Sequence, residues 1–261
     1  MRKPILTLTT DFGLSDHYVG VMKGVVLDIC PEAQIVDISH DVTAYAIAEG
    51  AFTIAQAYRY FPPGTVHVVV VDPGVGSARR PILVAAAGQL FVAPDNGVLS
   101  MIDTVRPVVR LLSNDAYFRH PVSRTFHGRD IFSPVAAHLA NGVAPEEMGP
   151  LLNDYIREDY DKPRPNGPQS WLGVILKVDR FGNLVTNFSQ HQFGGIASGN
   201  FSLAIGLTEI RLASSTYDSS LPGELFVIGG SSGYLEVSLN QGSAAQRIGC
   251  QSGSLAELTI W

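Results

Sequence analysis

The 261-residue chain has few cysteines, no long apolar run and no basic run, and each of these features argues against a class of protein. It has two cysteines, Cys30 and Cys250, without metal-ligand spacing, so we expect reduced, buried thiols in a cytoplasmic protein. No apolar run approaches the roughly 18 residues that a membrane span needs. Lysine and arginine total 18 against 24 acidic residues, and no basic run stands out, which argues against a nucleic-acid partner.

Several familiar nucleotide-binding and catalytic motifs are also missing. No Gly-x-Gly-x-x-Gly follows the first predicted strand, and no Gly-x-Ser-x-Gly marks a serine hydrolase. Residues 74–77 are glycine-rich but lack the Gly-Lys-Ser/Thr of a P-loop. Residues 11–13 have the letters of the kinase magnesium motif, but no kinase catalytic loop precedes them. These absences exclude the commonest dinucleotide, kinase and esterase sites.

The most informative stretch that is present is residues 66–80, VHVVVVDPGVGSARR. A short valine run bounded by a turn predicts a strand buried on both faces, as in a parallel sheet. Pro73 cannot donate to a β ladder, so we expect the strand to end at Asp72. Ligands in such sheets bind beyond the carboxyl ends of the strands, where Asp72 and Arg79 would meet a small polar ligand. The plainer alternative is a turn-capping aspartate followed by a solvated arginine pair.

The chain predicts two kinds of domain. Alternating strands and helices in the first half indicate a Rossmann-like α/β domain with a mostly parallel sheet. Short strands separated by Gly, Ser and Asn turns in the second half indicate an antiparallel β-barrel domain. We expect the α/β domain over 1–155, a linker without regular elements over 156–170, and the β-barrel domain over 171–261.

Hydrophobic periodicity and turn residues give the expected bounds of the individual elements. Ser15 or Asp16 is expected to cap the first helix. The expected helices cover 16–30, 47–60 and 131–141, and the expected strands cover 5–10, 34–39, 66–72, 82–87, 90–93, 108–112, 172–178, 184–187, 201–205, 210–213, 225–228, 234–238 and 255–260.

In the first half, ionisable residues fall where predicted strands end or helices begin. In a doubly wound sheet such positions can converge at one edge. His127 is singled out among seven histidines because it lies just ahead of a predicted helix, and a structural role is its alternative. The candidates are Asp11, Asp72 with Arg79, and His127 beside Asp130.

In the second half, two loops combine groups that suit a ligand. Asp179, Phe181 and Asn183 place an acid, an aromatic ring and an amide within five residues, although a plain hairpin turn would use the same residues. Ser231 and Ser232 lie among glycines, whose backbone N–H groups can hold a carboxylate. A flexible turn is the alternative for this second loop.

Taken in order, these segments resemble a known family. The matching segments are residues 9–13 (TTDFG), 72–76 (DPGVG) with Arg79, 127–130 (HGRD), 181–183 (FGN), and 231–235 (SSGYL) with Asn240. They resemble the S-adenosyl-L-methionine (SAM) hydroxide adenosyltransferases, which are the water-using relatives of the SAM-dependent fluorinase and chlorinase. The resemblance spans nearly the whole chain. It implies an enzyme that converts SAM and water to adenosine and L-methionine, built from an α/β domain and a β-barrel domain.

The resemblance also implies roles for individual residues, matched by position. The residues matched to the handling of water are Asp72, Arg79 and His127, and those matched to the ribose are Asp11 with Tyr45. The methionine part is matched to Asp16, Asp179, Ser231 and Ser232. Adenine is matched to Asn183 and Tyr217, with Phe181 as a further substrate-binding residue. The resemblance implies no cofactor and no metal. It also implies a homotrimer whose sites lie between the first domain of one subunit and the second domain of the next.

Within this family the residues favour hydrolysis over halogenation. The halogenases have Tyr at the position of Asp72 and Ser at that of Gly128. A carboxylate at Asp72 would repel a halide in a partly dehydrated pocket, at a cost of several kcal/mol.

Three other hypotheses stay open. One is a metal-dependent phosphoesterase that uses Asp11, Asp72, Asp95 and His127 as ligands, since Asp and His at strand ends do occur in such sites. Another is a non-catalytic protein that binds a nucleoside or SAM and leaves it intact. The third is a structural trimer with vestigial sites. Sensitivity to a chelator and a turnover assay separate these hypotheses from SAM hydrolysis.

Overall fold

The computed structural model describes residues 3–102 and 106–261, and the chain divides into two compact units, Met1–Glu158 and Asp159–Trp261. The finer domain bounds expected from the sequence, with a linker over 156–170, stay a prediction. Within the described residues, no helix is long and apolar enough to cross a membrane.

The first unit alternates strands and helices along the chain, as expected. Its elements are β1 (Ile5–Thr10), α1 (Tyr18–Ile29), β2 (Gln34–Ser39), α2 (Ile47–Ala57), β3 (Val66–Val70), β4 (Pro81–Ala86), β5 (Gln89–Pro94), β6 (Val108–Leu111) and α3 (Ser133–Ala140). Short 3₁₀ turns cover Tyr58–Tyr60, Asp115–Tyr117 and Pro145–Met148, and a π-helical turn covers Gly128–Phe132.

The sheet of this unit has the strand order β2-β1-β3-β5-β4-β6. Strands β2, β1, β3 and β5 are parallel, and β4 is antiparallel to both of its neighbours. This arrangement confirms the expected α/β fold with a mostly parallel sheet. The carboxyl ends of β1 and β3 therefore meet at one edge of the sheet, where Asp11 and Asp72 follow them.

The valine run of β3 is buried on both faces, as its composition predicts. Val68 and Val70 pack with the core that α1 and α3 cover, whereas Val69 and Val71 pack with the core that α2 covers. Alternate residues of a strand point to opposite faces, so an unbroken apolar run fits a strand with a core on each side. The strand ends at Val70, before the expected Asp72, because its pairing with β1 stops there.

The cap expected for α1 was wrong. The helix begins at Tyr18, its N-cap is His17, and no side chain caps it. Ser15 and Asp16 are exposed residues of the preceding loop. The helix is held instead by its apolar face, because Val19, Met22 and Val26 are buried under the sheet.

The second unit consists mostly of short strands. Its elements are β7 (Arg164–Pro165), β8 (Ser170–Val178), β9 (Leu184–Ser189), α4 (Gln190–Phe193), β10 (Phe201–Ile205), β11 (Thr208–Ile210), β12 (Ala213–Ser214), β13 (Leu225–Gly229), β14 (Tyr234–Leu239), α5 (Ala244–Ile248) and β15 (Leu255–Ile260). Two 3₁₀ turns cover Gly194–Ser198 and Tyr217–Ser219.

These strands form a curled sheet with the order β11-β10-β15-β8-β9-β14-β13-β12, and β7 pairs with β8. All pairs are antiparallel except β12 with β13. The long strand β8 pairs with β15 through its first half and with β9 through its second half. The expected antiparallel β domain is confirmed as an open half-barrel, whose concave side is filled by an apolar core that includes Phe188, Leu203 and Leu258.

Two expectations for this unit were wrong. Residues 164–165 were expected to be irregular, yet they pair with Trp171 and Leu172 of β8, and Pro165 is tolerated because β7 is an edge strand. The strand expected over 210–213 is two strands, β11 paired with β10 and β12 paired with β13. The break follows from tertiary pairing with two different partners, which local composition does not encode.

A buried histidine in the first unit should make the stability of the fold depend on pH. His67 of β3 is fully buried, with its Nδ1 2.7 Å from Thr7 Oγ1 and its Nε2 2.7 Å from Gln89 Oε1. Burial lowers the pKa of His67 from 6.5 to about 4. In the unfolded chain this group binds its proton near the ordinary pKa, so the folded state loses stability as the pH falls from about 6.5 towards 4.

We expect the free energy of unfolding to fall by up to about 3 kcal/mol between pH 7 and pH 4 through His67 alone. Urea unfolding at several pH values would measure it. The variant His67→Gln, which can hydrogen-bond but cannot titrate, should lack this component, whereas His191→Gln, an exposed control, should retain it. Equal pH dependence in wild type and His67→Gln would contradict the assignment.

Candidate active site

The centre of the candidate site is an ion pair in the loop that follows β3. Arg79 Nε lies 3.0 Å from both carboxylate oxygens of Asp72, and Arg79 Nη2 also donates to Asp72 Oδ2. Both side chains are more than nine-tenths buried. The loop can fold back because Gly76 has φ +76°, and a Cβ there would overlap the carbonyl oxygen of Arg124.

His127 joins this ion pair from a distant part of the chain. Its Nδ1 lies 2.7 Å from Arg79 Nη2. Because arginine can only donate, Nδ1 must accept, so the imidazole carries its proton on Nε2 and is neutral. Burial, and then the charge of Arg79, lower the pKa of His127 below its ordinary value, which agrees with that geometry.

A π-helical turn sets the position of His127. This turn, Gly128–Phe132, begins directly after it, and such turns often mark functional sites. Fully buried Asp130 anchors the turn by accepting hydrogen bonds from Ser123 N at 2.8 Å and Arg129 Nε at 2.6 Å. Asp130, expected beside His127 as a candidate, is therefore a structural anchor. Phe132 lies under the Arg79 guanidinium, 5.1 Å from its Cζ.

Arg79 retains one donor that the rest of the site does not use. Its Nη1 is buried and has no hydrogen-bond partner among the described residues. Buried polar groups are normally satisfied, so an orphaned guanidinium N–H indicates a partner that binds there, such as a solvent molecule or a substrate atom.

Asp11 lies close to this triad. Burial raises the pKa of Asp11, and the charge of Asp72 adds to the effect. Its Oδ2 accepts from the backbone N–H of Tyr45 at 2.9 Å. Tyr45 has φ +68° and is 73% exposed, so its ring is held outward at the surface in a strained backbone conformation. Asp16 is exposed and is not brought into the triad.

The candidates of the second unit meet in a cavity of about 690 Å³. The cavity is lined by Asp179, Phe181, Asn183, Tyr217, Ser231, Glu236, Leu239, Asn240, Gln241 and Gly242. Five of the six residues expected from the sequence therefore face one space. The sixth, Ser232, is 3.5 Å from Glu236 Oε1 through its hydroxyl.

A tight turn presents Asp179 and Asn183 to this cavity. Asp179 Oδ1 accepts from the backbone N–H groups of Phe181 at 2.9 Å and Asn183 at 2.8 Å, and Asp179 Oδ2 accepts from Asn183 Nδ2 at 2.8 Å. The hairpin-turn interpretation is therefore correct for the backbone. The turn also places Asn183 and Phe181 in the cavity wall, and Phe181 is 77% exposed.

Sequence reasoning missed Glu236 among the cavity residues. It is buried in β14 and accepts a hydrogen bond from Tyr217 Oη at 3.2 Å. Burial raises the pKa of Glu236, and the charge of Asp179 adds to this. The available signal was a lone acidic residue between two apolar ones in the predicted strand YLEVS, since acidic residues are rarely buried unless they are paired.

Both halves of the chain match models of one known protein family. Residues 6–149 match the family model for the SAM hydroxide adenosyltransferase N-terminal domain, and residues 173–257 match that for the C-terminal domain. The chain belongs to the SAM hydroxide adenosyltransferase family.

Relatives of this family member include both hydrolases and halogenases. It is 37% identical to the (R)-S-adenosyl-L-methionine hydrolase of Salinispora tropica over 98% of both chains. It is 31% identical to a fluorinase of an Actinoplanes species over 70% of this chain and 71% of that one. The crystal structure of an uncharacterized conserved protein from Thermotoga maritima is similar with a TM-score of 0.87 at 37% identity, over 98% of this chain and 99% of that chain.

The turn that follows Asp179 depends on a glycine at position 182. Gly182 has φ +83°, and a Cβ there would overlap the side chain of Ser243. We expect Gly182→Ala to lower the free energy of unfolding by about 2 kcal/mol or more, because it adds a clash to the backbone strain. Gly223→Ala is the matched control, since Gly223 has φ +78° but open space around it. Chemical unfolding of both variants measures the difference, and equal losses would mean that the clash relaxes.

Proposed function

We propose that this chain is an adenosine-forming SAM hydrolase, in which water attacks C5′ of SAM and methionine leaves. The observation that carries the proposal is the contact of Asp72, Arg79 and His127 around an orphaned guanidinium N–H. Membership of the SAM hydroxide adenosyltransferase family supports it. SAM is the substrate, and adenosine and L-methionine are the products.

The departure of methionine needs no catalytic group in the site. The sulfonium of SAM is already a cation, so methionine departs as a neutral thioether and needs no general acid. The site has to hold an oxygen nucleophile in line with C5′ and opposite sulfur. Such positioning can contribute up to about 7–11 kcal/mol in ideal cases.

The hydrogen bonds of the triad favour Asp72 as the group that takes the proton of water. His127 Nδ1 already accepts from Arg79, and its Nε2 carries a proton, so neither nitrogen is free to act as a base. Arg79 Nη1, which has no partner in the described part of the chain, is a donor that can hold the attacking oxygen and stabilise developing hydroxide. In this mechanism Asp72 removes the proton, Arg79 holds the oxygen, and His127 keeps the guanidinium in place.

Roles for the remaining residues follow the family correspondence. We assign Asp11 to the ribose hydroxyls with Tyr45 beside it, and Asn183 to adenine with Phe181 and Tyr217 as aromatic walls. The methionine part is assigned to Asp16, Asp179, Ser231 and Ser232. The walls of the second-unit cavity support a cationic ligand, because Asp179 and Glu236 face it and none of the ten lining residues is a lysine or an arginine.

The phosphoesterase alternative finds less support. Of its four suggested metal ligands, Asp95 is paired with Arg80 Nε at 2.9 Å and Asp72 is paired with Arg79. Among the described residues, no group of three or more His, Cys, Asp or Glu side chains is arranged to hold a metal ion. We propose that the reaction uses neither metal nor cofactor, as the family resemblance implies.

Incubation of the purified chain with SAM tests the proposed function. Chromatography should detect adenosine and methionine in equal amounts, with the same rate in the presence of EDTA. Added chloride or fluoride should not divert the product, because the Asp72 carboxylate would repel a halide. SAM that stays intact would support a binding protein, a loss of activity in EDTA would support a metal enzyme, and a 5′-halo-adenosine would support a halogenase.

The variant Asp72→Asn tests the catalytic assignment. It keeps the shape of the side chain but removes the base, so we expect kcat to fall at least about a hundredfold while SAM binding is largely retained. Calorimetric binding and steady-state kinetics would separate the two effects. Asp28→Asn, on the exposed face of α1, is the control and should change neither. Lost binding with an unchanged rate per bound SAM would show that Asp72 only binds substrate.

We further propose a cytoplasmic homotrimer with sites shared between subunits, as the family resemblance implies. Both cysteines are free thiols, which agrees with a reducing compartment. Light scattering should give a mass about three times the 28.0 kDa of one chain. A monomeric mass with full SAM turnover would refute the shared site.

A further inference from the structure

The most unusual charged group outside the triad is the carboxylate of Glu236. It lies on β14, between Leu235 and Val237, whose side chains enter the apolar core of the half-barrel. Successive side chains of a strand point to opposite faces, so Glu236 faces away from that core and lines the cavity beside Asp179 and Tyr217. The residue is only 6% exposed.

Glu236 has no cationic partner within the described residues. Its side-chain neighbours are two hydroxyl groups, Tyr217 Oη at 3.2 Å and Ser232 Oγ at 3.5 Å. The other nearby charge is that of Asp179, which has the same sign and raises the pKa of Glu236 further. Buried carboxylates are normally paired, so this arrangement is unfavourable unless a cation enters the cavity.

A backbone turn borders this carboxylate on one side. A Cβ on Gly230 would overlap Glu236 Oε1, so the turn at Gly230 lies directly against the carboxylate. That turn is closed by hydrogen bonds from Gly230 N to Tyr234 O at 2.9 Å and from Gln190 Nε2 to Gly230 O. A desolvated anion next to an open space, bordered by this turn and by two hydroxyl groups, favours the binding of a positive charge.

Asp179 is less available for that purpose than Glu236. It already accepts three hydrogen bonds from the 179–183 turn, two on Oδ1 and one on Oδ2. An ionised carboxylate has about four acceptor positions, so Glu236, with two longer hydroxyl contacts, keeps more of its capacity free.

We propose that Glu236 recognises the α-ammonium group of the methionine part of the substrate and that it is a specificity-determining residue for SAM. This inference rests on the proposed function, because it takes SAM as the ligand. The carboxylate would accept hydrogen bonds from the ammonium group, and Tyr217 and Ser232 would hold the carboxylate from the other side. Asp179 would supply the second negative charge near the methionine part and would also shape the turn that presents Asn183.

The variant Glu236→Gln tests the proposal, because it keeps the volume and removes the charge. We expect KM for SAM and Kd for L-methionine to rise about tenfold or more, the size of one lost charge-assisted contact, with kcat within about threefold. Kd for adenosine, which has no ammonium group, should stay within about twofold of the wild-type value. Steady-state kinetics and calorimetry on the full chain give these numbers.

Two further variants control the result. Glu224→Gln changes an exposed glutamate of the same unit and should leave all constants unchanged. Glu236→Asp keeps the charge but shortens the side chain, so its KM for SAM should fall between those of wild type and Glu236→Gln. If Glu236→Gln folds poorly, Glu236→Asp replaces it in the test.

Adenosine binding that weakens as much as SAM binding would overturn the proposal, because it would place Glu236 at the nucleoside. Unchanged KM and Kd values in folded Glu236→Gln would overturn it as well. SAM left intact by the wild-type chain would instead refute the proposed function alone, because the separate methionine and adenosine measurements would still decide what Glu236 binds.

Discussion

A single guanidinium organises the first unit's site. Arg79 binds Asp72 through two nitrogens, holds His127 in one tautomer and packs on Phe132, and its Nη1 has no partner among the described residues. Burial of these charges costs free energy that an apolar cluster would not, and such groups persist where function requires them. The loop at Gly76 and the π-helical turn after His127 matter chiefly because they deliver the two partners to this arginine.

The carboxylates of the chain fall into two electrostatic classes. Asp72, Asp95 and Asp130 are paired with arginines. Glu236 is buried and Asp11 is half-buried, neither is paired with an arginine or lysine among the described residues, and burial raises the pKa of each. The first class can act on a water molecule or maintain the fold. In the second class, Glu236 lines the cavity of the second unit, where its negative charge suits a substrate that is itself a cation.

Local patterns predicted most of the regular structure. The valine run of β3 predicted a doubly buried strand, and the alternating elements before it predicted a parallel sheet, both of which the structure confirms. Predictions failed where tertiary pairing overrides composition. Pro165 pairs at a sheet edge, and the segment around Leu212 divides between two different partner strands. Edge pairing and strand exchange depend on distant residues, so no local window contains the information.

The sequence by itself determined the order of elements, the two fold classes and the family, because these depend on periodicity and on motifs that are short and ordered along the chain. Only the tertiary structure decided that Arg79 meets His127, 48 residues away, and that it does so at Nδ1. Only the tertiary structure decided, too, that Glu236 faces a cavity. A strand's sequence says that neighbouring side chains point to opposite faces, but the elements packed around it decide which face is core and which is open to a ligand.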